Sequence, residues 1–120
     1  MKKLTARELQ LMQVLWKMGK AFVKEIIEDL PEPKLHYNTV STTIRILEEK
    51  GFVDHESFGQ AHRYFPLVSK DSYQNTAVGD VLETYFDNSY PKMIAHFAKQ
   101  EKISPEELEE ILRMIKNKES

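Results

Sequence analysis

The chain has 120 residues, 41% hydrophobic and 30% charged, which suits one compact domain with or without an oligomerisation arm. It contains no cysteine, so a disulfide framework and any thiolate-ligated zinc or copper site are excluded. The formal net charge is −2, but the balance is uneven: residues 1–70 hold eleven Lys/Arg against nine Asp/Glu, and residues 71–120 hold six against ten. Phosphate contact requires a local positive face rather than a positive total.

Thr5 opens the first predicted helix, and Glu8 three residues later completes a capping box. Leu9, Met12, Leu15 and Trp16 then recur at helical spacing until Gly19. Ala21 to Leu30 reads as a second, shorter amphipathic helix, with Phe22 or Val23, Ile26, Ile27 and Leu30 on its buried side. Pro31 and Pro33 stop it and force an extended link. The third helix follows, from about His36 to Lys50, with Gly51 at the left-handed position that ends a helix. At 100° per residue, Val40, Thr43, Ile44 and Leu47 share one sector. Asn38, Thr42 and Arg45 lie opposite, flanked by Thr39, Ser41 and Ile46. An apolar back with a short hydrogen-bonding front is what a major-groove reader needs, whereas a solvated surface helix carries more charge and less threonine.

Two β-prone runs, Phe52–Phe58 and His62–Leu67, flank Gly59-Gln60-Ala61 and read as a two-stranded hairpin. Three helices and a hairpin in this order make a winged helix-turn-helix. From Ser69 onward the pattern is helical. Val78, Val81, Leu82, Tyr85 and Phe86 share a face; Pro91 opens a helix carrying Met93, Ile94 and Phe97. Ser104-Pro105-Glu106-Glu107 opens a last one carrying Leu108, Ile111, Leu112 and Ile115. These helices hold too little material for a core of their own; a second copy of the chain is the simplest cover, and the alternative is packing back on the chain's own winged helix.

The expected fold is thus mostly α with a small β-hairpin: a winged-helix DNA-binding domain over residues 1–70 and a helical dimerisation region over 71–120. The expected base readers are Asn38, Thr39, Ser41, Thr42 and Arg45, since Asn pairs with adenine, Arg with guanine, and Thr offers a methyl to thymine. Lys34, Tyr37, Lys50, His62 and Arg63 are candidates for the DNA backbone. The four histidines form no His-x-x-x-His pair, and no nucleophile elbow or phosphate-binding glycine pattern is present. No enzyme activity, metal or cofactor is therefore expected. No apolar run approaches the ~20 residues of a membrane span, and Met1 to Thr5 has no apolar segment behind its lysines. A cytoplasmic protein without membrane insertion is expected. The alternative function is a winged-helix protein-interaction module without DNA readout, a reading the net acidity favours.

Several stretches resemble the BlaI/MecI penicillinase-repressor family: Leu9 to Trp16 its opening helix, Tyr37 to Thr42 and Leu47 to Gly51 its recognition helix, and Arg63 to Pro66 the end of its wing. The resemblance implies a homodimeric repressor on a palindromic, double-stranded operator. It also implies a membrane sensor metalloprotease as partner, with repression relieved by cleavage in the C-terminal region. The family's cleaved bond is Asn-Phe, and the matching position here is His96-Phe97. The copper-responsive branch carries a cysteine pair, which this chain lacks. Asn38 and Ile46 stand where the family often has Lys and Arg, so a different operator sequence is expected.

Overall fold

A computed structural model describes residues 3–119, with side chains as far as 117; Met1 and Lys2, read above as part of the chain's opening, lie outside the described residues. The elements run α1 (Ala6–Met18), β1 (Ala21–Phe22), α2 (Val23–Asp29), α3 (Tyr37–Glu49), β2 (Val53–Phe58), β3 (Ala61–Pro66), α4 (Lys70–Tyr85), α5 (Tyr90–Lys99) and α6 (Pro105–Glu119). They fall into two compact units, one reaching to Thr76 and one beginning at Ala77.

The first unit is a winged helix. The predicted capping box opens α1: Glu8 N donates to Thr5 Oγ1 (3.2 Å), and Thr5 N donates to Glu8 Oε1 (2.8 Å). α1 buries Leu11, Met12, Val14 and Leu15, α2 buries Val23 and Ile26, and α3 buries Val40, Ile44 and Leu47. Phe52, Val53 and Tyr64 close the same core from the sheet. Trp16 is pinned at its edge, its indole N–H donating to the Val68 carbonyl (2.9 Å).

The sheet has three strands in the order β1-β3-β2, all antiparallel, rather than the two of a simple hairpin. Ala21 pairs with Tyr64 and Phe22 with Arg63, so the first two residues of the expected second helix are strand. Two residues carry no periodicity of their own, and their pairing with β3 is set by residues far along the chain. The Phe22 amide donates to Glu25 Oε1 (2.8 Å) and starts α2 at Val23. In the turn of the wing, Gly59 has a φ of +62°, as the first central position of a two-residue hairpin loop demands.

α3 ends as its sequence predicts. Gly51 takes a φ of +83°, its amide bonds to the Glu48 carbonyl (3.0 Å), and the Phe52 amide reaches back to the Leu47 carbonyl (2.9 Å). This paired pattern satisfies the last carbonyls while Leu47 and Phe52 both enter the core. The chain reverses within three residues, so the wing begins beside the last turn of α3.

The second unit is helical. Ser89 caps α5 through the Lys92 amide (3.1 Å), with Pro91 in its first turn. Ser104 and Glu107 form a reciprocal capping box at α6 (3.1 and 3.0 Å), with Pro105 as its first residue. Leu82 is buried, Phe86, Phe97 and Leu108 are half-buried, and the rings of Phe86, His96 and Phe97 cluster. Val78, Val81, Tyr85, Ile94, Ile111, Leu112 and Ile115 remain exposed. No helix among the described residues is long and apolar enough to cross a membrane.

Candidate nucleic-acid interface

The fold turns α3 so that its apolar back is sealed and its polar front is open. Val40, Ile44 and Leu47 are fully buried. Asn38, Thr42 and Arg45 are exposed, Thr39 and Ser41 are half-buried, and Tyr37 stands half out of the surface at the first turn. Ile46 is also exposed, at the margin of the polar front. On the front, Arg45 Nε donates to the Ser41 carbonyl (3.3 Å); toward the back, Thr43 Oγ1 donates to the Thr39 carbonyl (2.8 Å). His36 precedes the helix without a side-chain capping bond to the first amides of α3, which form the positive end of its dipole.

A cleft of about 450 Å³ runs between α3, the start of α2 and the wing. Tyr37, Ser41 and Arg45 line it from α3, and His62 lines it from β3. Two further polar residues join them, Lys24 from α2 and Gln60 from the turn of the wing. Neither was expected from the sequence. Lys24 sits in a helix whose charges look like an ordinary solvated face, and Gln60 gains a role only once the hairpin is folded toward α3. Tyr64 forms the floor; burial, and then the negative charge of Glu48, push its phenol above the usual tyrosine range.

The remaining cations expected at the backbone lie elsewhere. Lys50 Nζ is 2.8 Å from both carboxylate oxygens of Glu8 at the far end of α3. Lys34 Nζ donates to the carbonyl of Glu28 (2.8 Å) and to that of Leu30, closing the end of α2. Arg63 follows His62 on β3, and strand alternation turns it to the opposite face of the sheet, where its Nε is buried without a partner among the described residues. His96 and Phe97 sit inside α5, with His96 exposed and Phe97 half-buried.

The family model for the penicillinase repressor matches residues 4–117. The chain belongs to the penicillinase repressor family. A penicillinase repressor from Bacillus licheniformis is 24% identical over 109 residues, covering 90% of this chain and 85% of its own length. The methicillin resistance regulatory protein MecI of Staphylococcus aureus (strain N315) is 26% identical over 116 residues, covering 96% and 94%. Among solved structures, the solution structure of the DNA-binding domain of the repressor BlaI superposes with a TM-score of 0.52 and 28% identity. It covers 61% of this chain and 94% of that one. The winged helix expected from the sequence is therefore the fold, and the family is one of repressors rather than enzymes.

Proposed function

We propose that this chain is a transcriptional repressor that binds a palindromic operator as a homodimer, with α3 in the major groove and the wing against the adjacent backbone. The observation that carries the reading is the front of α3: amide, hydroxyl and guanidinium groups exposed on a helix whose back is fully buried. Asn38, Thr39, Ser41, Thr42 and Arg45 are the base readers, each good bidentate pair contributing roughly 1–3 kcal/mol of discrimination. Tyr37, His62 and the cleft residues Lys24 and Gln60 contact the sugar-phosphate backbone, with the open amides of α3 directed at a phosphate. Lys34 and Lys50 are engaged within the fold, with the Glu28 and Leu30 carbonyls and with Glu8, and rank behind these residues as backbone contacts.

The second unit supplies the two-fold contact. Its exposed apolar side chains, among them Val78, Val81, Tyr85, Ile94, Ile111, Leu112 and Ile115, support this reading. Relief of repression by a membrane sensor metalloprotease would act on the same unit. The His96-Phe97 bond is helical, so α5 must unwind before a protease that needs an extended strand can cut it.

The test is fluorescence anisotropy of the full chain on duplexes from the region upstream of its own coding sequence, against random duplex of equal length. Specific binding is expected, with log affinity falling about 0.9 per phosphate neutralised for each unit of log salt. Absence of any specific complex at low salt would overturn the repressor reading and favour a protein-interaction module, as the net charge of −2 would suggest.

A further inference from the structure

We propose that the junction between α3 and the wing is a binding site for a divalent ion of the zinc class, held by Glu48, Asp54 and His55. The tight reversal after α3 creates it. Glu48 stands in the last turn of the helix, and the chain returns through Gly51 to place Asp54 and His55 beside it at the start of β2. One ligand atom from each of the three lies within 4.8 Å of the others. In a tetrahedral shell, ligands at about 2.0–2.2 Å from the ion lie about 3.3–3.6 Å apart, so side-chain rotations that draw the three donor atoms in by up to roughly 1.3 Å close the shell.

The donor set selects the ion. One imidazole nitrogen with two carboxylates suits zinc and its transition-metal neighbours. Calcium and magnesium prefer six or more oxygens, and copper(I) prefers the thiolates this chain lacks. The surroundings already orient the ligands. The His62 ring stacks on that of His55 (centroids 4.0 Å apart, planes within 8°), and the Tyr64 ring lies 5.6 Å away. This packing holds His55 Nδ1 against Glu48 Oε1. Asp54 Oδ1 accepts the His55 backbone N–H (2.8 Å), which fixes the carboxylate beside the imidazole. The His55 and Glu48 side chains keep 26% and 32% of their surface exposed, enough for an ion to enter and for water to complete its shell. An ion here would fasten the end of α3 to the base of the wing. The site stands on these three side chains and not on the DNA reading.

The untagged full chain should be titrated with Zn²⁺ by calorimetry and with Co²⁺ by visible absorption. One ion per chain and cobalt ligand-field bands are expected, undiminished by millimolar Mg²⁺. Glu48→Gln and His55→Ala should each weaken binding on the order of 10–100-fold or more, since even an outer-shell partner is worth that much. His96→Ala, in the other unit, should leave the titration unchanged. Circular dichroism checks the fold of each variant, and Asp54→Asn replaces any that fails to fold. Stoichiometric binding that survives all three ligand substitutions would overturn the site, as would weak uptake without stoichiometry, which marks an adventitious ion only.

Discussion

Lys50 holds Glu8 across 42 positions of sequence, its ammonium 2.8 Å from both carboxylate oxygens, and so joins the first turn of α1 to the last turn of α3. Glu8 is buried although charged, and the same carboxylate takes the Thr5 amide. Burial pushes its carboxyl upward, but the bonds from Lys50 and Thr5 outweigh that and hold it below the ordinary carboxylate range. Lys50→Met strands a buried charge and should cost about 1–3 kcal/mol, read as a lower urea midpoint with unchanged slope.

The same pair predicts a pH dependence. A carboxyl whose folded pKa is depressed contributes stability above its unfolded value, about 4.3 for glutamate, and loses it as pH falls through the folded value. Melting temperature should therefore drop from about pH 4.5 downward. Glu8→Gln should flatten that part of the profile; a slope identical to wild type would show that other carboxylates carry it.

Arg45→Ala should abolish the preference for operator over random duplex while leaving random-duplex affinity nearly unchanged, because a base contact discriminates and a phosphate contact does not. Lys24→Ala should do the reverse, weakening both duplexes alike and reducing the salt slope by about 1. Anisotropy titrations at three salt concentrations separate the two patterns.

Gly51→Ala tests the reversal after α3. Nothing lies within 4 Å of an added Cβ, so the penalty is that of the +83° φ alone, about 1–2 kcal/mol. A neutral substitution in urea unfolding would mean that the turn relaxes without disturbing Leu47 and Phe52.

A chain ending at Thr76 should fold as a monomer and bind the operator far more weakly than the whole protein, since linked half-sites raise effective concentration. Light scattering decides it: a dimer from the truncated chain would place the two-fold contact in the first unit. The end point matters. Tyr73 packs on Trp16 and Phe52, and its hydroxyl accepts the Leu4 amide (3.3 Å), so a cut at Lys70 would remove part of the core.

Tyr73 also marks where the sequence was harder to read. The periodic helices, their caps and the Gly51 stop were legible because each depends on residues close together in the chain. The strand at Ala21–Phe22 was not, because its partners Tyr64 and Arg63 lie some forty positions away. The front of α3 could be read from angular position alone. The commitments of Lys34 and Lys50 could not, since a lysine's sequence neighbours do not reveal which distant carboxylate or carbonyl it reaches. Lys24 and Gln60 entered the cleft for the same reason: only the folded sheet brings them to α3.

Trp16 is the only tryptophan in the chain, and it lies in the first unit with its indole N–H tied to Val68. Its emission therefore reports the first unit, whereas circular dichroism averages the helices of both. Unfolding followed by the two signals should coincide if the units melt together. A helical transition that falls with dilution while tryptophan emission stays native would isolate the melting of the second unit.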